Sequence, residues 1–481
     1  MIFSSLTFLF VFLPITIIAY FVSGKKFRNI ILLFASLLFY AWGEAFYVLL
    51  MLGSITFNYG IGILLDRAKN TVERRRFLIG GISVNLLSLC FFKYTNWIID
   101  TVAGLIPGLE SGDIISSPIH LPIGISFFTF QALSYIIDVY RNETSSQKNP
   151  FHLGLYIASF PQLIAGPIIR YNHVARQIAE RQHSFGLFAK GAERFIFGLS
   201  KKVLIANPIA ALGDQIFATN YDYLSPELAW LGILCYSLQI FFDFSGYSDM
   251  AIGLGKMFGF HFPENFNYPY IARTMQDFWK RWHISLSTWF RDYLYIPLGG
   301  NRKGHKKTNQ NLFIVFLLCG LWHGASWNFL IWGLIHGTFL VLERKQLKAV
   351  LEKVPRFVSH VYTLFVILNA WVFFRVETPS HAFDYLGAMY FLKDSSEIPF
   401  YLNIYTGIDK LFLCSLTLGI LFCVPAVPKM LERLQQTFSS ASTGYLIAAK
   451  SIKLLMLVSL LYLCTSFLAV DSYNPFIYFR F

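Results

Sequence analysis

Two histidines, each followed by glycine, stand in CGLWHGASWNFLIWGLIHG, residues 319 to 337, a stretch without a charged residue. A third, His283, closes the triplet RWH 40 residues before His323. Histidine titrates close to neutral pH. Such a ring can take the proton of a hydroxyl, which is a poor nucleophile until that proton is removed. The competing reading for each is a core residue hydrogen-bonded to a backbone carbonyl, the usual fate of a buried polar group.

On one continuous helix, the 13 residues between His323 and His336 turn the second ring about 140° from the first. A single site holds both only if Gly324 to Ser326 breaks the helix. Glycines at 320 and 324 permit close backbone approach beside the His323 ring. His336 reads as a helix-packing residue next to a small contact glycine. The candidates therefore rank His323, His283, His336. No Ser-His-Asp arrangement or metal cluster is apparent, so no metal ligands are assigned. Asp243, Ser245 and Asp249 in FDFSGYSDM read as packing and kink residues.

What positions these rings is membrane. Of 481 residues, 55% are hydrophobic and 14% charged, far too apolar for a soluble domain of this size. The six cysteines include no C-x-x-C pair and lie mostly in apolar runs, so they read as small buried hydrophobes. A net charge of +13 would suggest nucleic acid for a soluble protein. Here it is explained by lysine and arginine held in cytoplasmic loops, and no nucleic-acid partner is expected.

The run Phe3 to Val22 has no basic residue before it and is followed by Lys25, Lys26 and Arg28, the reverse of a secretory signal. It reads as a retained helix with its N-terminus outside. DRAKNTVERRR, residues 66 to 76, carries five basic residues and is expected in the cytoplasm, whereas GLESGD suits an exterior loop. FPQLIAGPIIRY, residues 160 to 171, is interrupted by Pro161, Gly166 and Pro167, and reads either as a re-entrant segment or as a kinked helix. Further spans are expected near 193–210, 225–243, 311–325, 327–343, 358–374, 410–427 and 450–469. These readings give a single integral-membrane domain over 1–481, all-α and polytopic, with about 12 crossings. Both termini then lie outside, and the chain ends in an aromatic motif at 474–481.

Between two spans lies TMQDFWKRWHISLSTWFRDYLYIPLGGNRKGHKK, residues 274 to 307. At about 100° per residue, Gln276, Lys280, Arg281, Ser287, Arg291 and Asp292 share one arc. Phe278, Trp279, Trp282, Leu286, Trp289, Phe290 and Tyr293 share the opposite one. The spacing predicts a helix that lies along the interface or packs under the bundle.

FWKRWHISLSTWFRDYLYIPLGGNRKG followed by GLWHGASWNFLIWG resembles the bacterial branch of the membrane-bound O-acyltransferase (MBOAT) superfamily. The resemblance is closest to the membrane subunit of the alginate O-acetylation machinery. MIFSSLTFLFVFLPI, LPIGISFFTFQALSYIIDVYR, FPQLIAGPIIRY and QIFFDFSGYSDMAIG resemble the same branch in the same order. The branch that D-alanylates teichoic acid shares the motifs, so they leave the acyl group open. The resemblance implies a ring of tilted helices with re-entrant or interfacial helices around a thin central site. It implies that His323 is catalytic and that His283 lines the same site from the cytoplasmic half. NPFIYFRF at the end is similar to the aromatic terminal motif of the small helper peptide of D-alanylation, which makes Tyr478 a candidate acyl relay. An aromatic interface anchor is the other reading of that residue.

What the resemblance implies is a bacterial inner-membrane enzyme. It would carry an acetyl group from a cytoplasmic thioester towards O-acetylation of an extracytoplasmic polysaccharide, such as alginate, or of peptidoglycan. Moving only the acyl group spares the cost of moving the donor's phosphates through the bilayer. No permanently bound cofactor is expected; acetyl-CoA or another acyl thioester is the donor substrate. Lys280, Arg281, Arg302, Lys303 and Trp282 are the candidate donor-binding residues, the basic ones attracting phosphates or an acidic carrier. An exported esterase-like transferase is the expected partner that receives the acetyl group. The alternatives are D-alanyl transfer on the same scaffold, a lipid acyltransferase with a laterally open site, and a polysaccharide or lipid transporter. Transporters favour inverted repeats, and none is found in the sequence.

Overall fold

A computed structural model describes residues 1–221, 224–390, 407–437, 443–470 and 473–475; among these, every regular element is a helix. Six helices are long and apolar enough to cross a membrane: Tyr47–Arg67, Thr71–Leu105, Phe185–Phe217, Pro226–Met257, Arg356–Arg375 and Ile447–Val470. Phe8–Val22, Ile125–Tyr140 and Lys410–Phe422 are apolar but shorter. The protein is an all-α polytopic membrane protein. Its helix starts are set by short polar caps: Asn70, Asn149, Thr274, Ser326 and Asp409 each accept a first-turn backbone N–H. The chain divides into two compact units, Met1–Ala192 with Ala251–Pro263, and Glu193–Met250 with Glu264–Phe481.

In the first unit the N-terminal aromatics form a knot. Phe3, Phe8, Phe12 and Phe39 pack on Phe160, whose backbone N–H donates to Ser36 Oγ at 3.0 Å. Helices Tyr47–Arg67 and Thr71–Leu105 are joined by a reciprocal amide pair, Asn58 with Asn85, at 3.1 and 2.8 Å. The 160–171 motif is a one-turn helix, Phe160–Leu163, followed by a non-helical stretch to Arg170. Residues 164–169 are buried. Polar groups inside the protein meet the freed backbone: Tyr156 donates to the Ile169 carbonyl at 2.8 Å, and Gln162 to the Tyr156 carbonyl at 2.6 Å. Irregular backbone persists where the protein itself satisfies it.

The second unit contains Gly304–His323 and Trp327–Leu342, a helical hairpin crossing where Gly320 faces Gly333. A Cβ on Gly320 would strike the Phe329 carbonyl, and one on Gly333 would strike that of Phe316. Close backbone approach therefore requires glycine at both positions. The expected spans 193–210 and 225–243 are longer than the pattern suggests, running Phe185–Phe217 and Pro226–Met257. The polar residues of QIFFDFSGYSDMAIG, read as packing and kink residues, lie within the longer helix and are neutralised inside the unit. Asp243 pairs with Lys202 at 3.0 Å, both buried, and Asp249 pairs with Arg194 and Lys201 at 2.6 Å each.

Candidate active site

The predicted amphipathic helix over 274–307 is not continuous. It comprises Met275–Trp279, a break, Ile284–Phe290 and a π-helical turn, Arg291–Tyr295. The burial split survives the break: Phe278, Trp279, Trp282, Leu286, Trp289, Phe290 and Tyr293 are all buried. The break falls at His283, whose backbone is left-handed, with φ +43°. Asn265 holds it there. Its carbonyl accepts from Ile284 N–H at 2.9 Å, and its Oδ1 accepts from Ser285 N–H at 3.2 Å, so a loop 18 residues upstream caps the helix.

That cap also decides the chemistry of the ring. A backbone N–H can only donate, so the atom facing Ser285 is the Asn265 oxygen. His283 Nδ1, 3.1 Å from the same oxygen, must then carry the proton. Burial lowers the His283 pKa to about 3, which keeps the ring neutral. Its Nε2, buried and without a partner among the described residues, therefore presents a lone pair. Such a nitrogen accepts a proton or a hydrogen bond; it does not donate to an oxyanion. Phe244 packs edge-on to this ring at 4.6 Å and Trp322 lies 6.2 Å away, centroid to centroid.

His323 is the last residue of its helix, and Gly324 to Ser326 do break the chain before Trp327. The two histidines consequently meet one indole: the Trp332 ring lies 5.1 Å from His323 and 4.7 Å from His336. Phe374 covers His323 at 5.1 Å, and Trp279 covers His336 at 5.0 Å. His283 and His323 are linked through Trp322, which packs on both.

Beneath this aromatic nest lies a cavity of about 1120 Å³. Trp279, Phe316 and Cys319 line it, and Cys319 is one helical turn before His323. Seven basic side chains line the cavity against three acidic ones, Asp277, Glu343 and Glu352. Asp277 already pairs with Arg281 at 2.9 Å, and Glu343 accepts from Met275 N–H at 2.6 Å and Gln276 N–H at 3.2 Å. Arg273, Lys280, Arg344 and Arg356 have no carboxylate partner among the described residues. The surplus suits a polyanion.

Of the expected donor-binding residues, Lys280 and Arg281 line this cavity. Arg302 and Lys303 are exposed and do not line it, and Trp282 is buried among Phe241, Phe266, Phe278 and Trp371. Tyr478 lies outside the described residues. Sequence reasoning missed Asn265, Arg344 and Arg356. A polar residue in the proline-flanked loop PENFNYP, between apolar segments, was the available signal for the first.

A membrane helical fold that buries histidines above a basic cavity defines a class, and the comparisons identify it. The chain belongs to the membrane-bound O-acyltransferase family, whose profile matches residues 120–376. It is 46% identical over 391 residues to a protein named probable alginate O-acetylase AlgI from Pseudomonas aeruginosa, across 81% of this chain and 75% of the relative. To the protein of that name from Pseudomonas putida it is 41% identical over 495 residues, covering 100% of both. The peptidoglycan O-acetyltransferase of Helicobacter pylori is 37% identical over 428 residues, 81% of this chain and 80% of that one. Proteins named teichoic acid D-alanyltransferase are similar over a shorter stretch. The protein is thus a multi-pass membrane acyltransferase.

Proposed function

We propose that this enzyme transfers acetyl groups from a cytoplasmic thioester, acetyl-CoA or another acyl thioester, into an extracytoplasmic O-acetylation pathway for a polysaccharide of the alginate kind or for peptidoglycan. The observation that carries the reading is the basic cavity whose wall reaches Cys319, one turn below His323. Donor phosphates sit among Arg273, Lys280, Arg344 and Arg356 while the acyl arm reaches towards the aromatic nest. His323 takes the proton of the attacking hydroxyl as its oxygen bonds to the thioester carbonyl carbon. The C–S bond breaks, and the proton passes to the leaving thiolate. His283, through the Nε2 lone pair, accepts a hydrogen bond from the donor arm or the attacking group and so orients it. An exported esterase-like transferase then completes delivery to the polymer.

The attacking hydroxyl is that of Tyr478 or of a sugar. The residues just before the tail are tied to the helix Phe185–Phe217. Tyr473 hydroxyl donates to Asp214 at 2.6 Å, Asn207 donates to the Tyr473 carbonyl at 3.4 Å, and Lys202 donates to the Pro475 carbonyl. A phenol is a workable acceptor once its proton is taken, and its ester passes the group onward readily. The reading also puts the enzyme in the bacterial inner membrane, with about 12 crossings and both ends outside.

The test uses purified enzyme, labelled acetyl-CoA and mass spectrometry of the C-terminal peptide. Wild type shows an acetylated peptide, and Tyr478→Phe, which keeps the aromatic anchor, is inactive. Full polymer acetylation by Tyr478→Phe removes the relay. Transfer from a D-alanyl carrier protein but not from acetyl-CoA removes the acetyl reading.

A further inference from the structure

In the first unit, positive charge gathers around Tyr20 with no carboxylate paired to it among the described residues. The Tyr20 hydroxyl accepts from Arg181 Nη2 at 3.0 Å and donates to the Phe258 carbonyl at 3.2 Å. Arg28 Nη1 lies 3.3 Å from His183 Nδ1. A guanidinium only donates, so Nδ1 is the acceptor, and His183 Nε2–H donates to Tyr20 Oη at 2.9 Å. His183 is therefore neutral. It sits in the loop before Phe185, where burial first, then the charges of Arg28 and Arg181, lower its pKa below the ordinary value.

Arg181 spends a further N–H on Asn29 at 2.6 Å and lies over the Phe260 ring at 4.3 Å. The Arg28 Nε is buried and has no partner among the described residues. Neither arginine is paired with a carboxylate among the described residues, whereas Arg194, Arg281 and Arg375 of the second unit each are. A neutral histidine facing two guanidiniums is a poor substitute for an anion, because charge-assisted bonds to an oxyanion are about twice as strong.

Beside this cluster is a cleft of about 380 Å³, edged by His183, Ser184 and Lys256 and walled by Phe21, Phe185 and Phe188. Arg28 stands over Phe21, 5.6 Å from its centroid. The wall and its surroundings are apolar and bare: Phe185 is 88% exposed and Val22 83%. Lys25 and Lys26 are exposed in the adjoining turn, the one expected at the cytoplasmic face.

We propose that the cleft binds the phosphodiester headgroup of an anionic phospholipid at the cytoplasmic edge of the bilayer. The phosphate faces Lys256 and the Arg28 guanidinium at the edge of the cleft beside His183, and an acyl chain lies along Phe21 and Phe185. A free phosphate ion gains nothing from three phenylalanines, whereas a lipid uses both halves of the site.

The full-length protein in detergent is titrated with phosphatidylglycerol, phosphatidylcholine and inorganic phosphate, followed by native mass spectrometry and thermal melting. Phosphatidylglycerol is expected to bind selectively and raise the melting temperature. Arg28→Gln and Lys256→Gln should each weaken it on the order of tenfold. Arg67→Gln, an exposed arginine elsewhere in the same unit, should leave it unchanged. Lys256→Gln keeps the test open if Arg28→Gln misfolds. Equal binding of phosphatidylcholine, or unaltered phosphatidylglycerol binding by both variants, overturns the site. Equal stabilisation by inorganic phosphate overturns the lipid in favour of a soluble anion.

Discussion

His323 and His336 press on the same indole, yet they occupy different kinds of place. His323 ends a helix against a three-residue break; His336 is held mid-helix, fully buried, with both ring nitrogens lacking a partner among the described residues. A ring at a helix end stands where backbone geometry changes and where a substrate arm can approach. A ring inside a helix, walled by Trp279, Phe316 and Trp332, mainly fills volume. Identical side chains thus stand in different settings because of the backbone that carries them.

The largest contrast is expected on truncating each ring. His323→Ala should lose acyl transfer by roughly 10²–10⁴-fold while still folding, read as a cooperative melt. His336→Ala should keep most turnover and lose stability on the order of 2 kcal/mol, read as a lower melting temperature. An inactive but normally stable His336→Ala would erase the distinction between the two places.

His283 extends the comparison to a ring fixed by a partner. Asn265→Ala removes both the cap and the acceptor for Nδ1–H, and kcat should fall roughly tenfold or more. Asn265→Asp keeps the acceptor but adds a negative charge beside the ring, raising the His283 pKa from about 3. The neutral ring is present above that pKa and is lost as pH falls through it. The acid limb of the kcat profile should therefore move to higher pH. An unmoved acid limb in Asn265→Asp would show that this ring does not act in its neutral form.

A smaller effect separates the two glycines that follow the histidines. A Cβ at Gly324 would strike the Phe329 ring, whereas one at Gly337 would meet Phe313 at 3.3 Å. Gly324→Ala should cost about 1–3 kcal/mol and lower turnover by displacing His323, and Gly337→Ala should do less of both. The reverse ranking, by melting and turnover, would mean that the break is not what places His323. Smallest of all, Arg344→Gln with Arg356→Gln should raise the KM for the donor several-fold at unchanged kcat, the mark of lost uniform binding. An unaltered KM would remove these residues from the donor's path.

Much of this was legible. Apolar runs with basic turns declare membrane helices, and the arcs of 274–307 correctly separated buried aromatics from accessible polar residues even though the helix itself is broken. The break escaped because its cause is remote. No local propensity at His283 requires a left-handed backbone; Asn265, 18 residues away, supplies the capping bonds. The span expected at 225–243 stopped short, because residue types alone do not show that Lys202, Arg194 and Lys201 pair with Asp243 and Asp249 inside a helix that runs to Met257.

By itself the sequence determined the class: an all-helical membrane acyltransferase with His323, His283 and His336 as the rings to weigh, because hydropathy and motif identity are carried by residue type and spacing. The tertiary structure alone decided that Gly324 to Ser326 fold two helices onto one indole, that Asn265 sets the tautomer of His283, and that Arg344 and Arg356 join Lys280 around one cavity. The physical reason is that a hydrogen bond, a ring contact or a pool of charge depends on distances between residues far apart in the chain, and those distances exist only once the helices have packed.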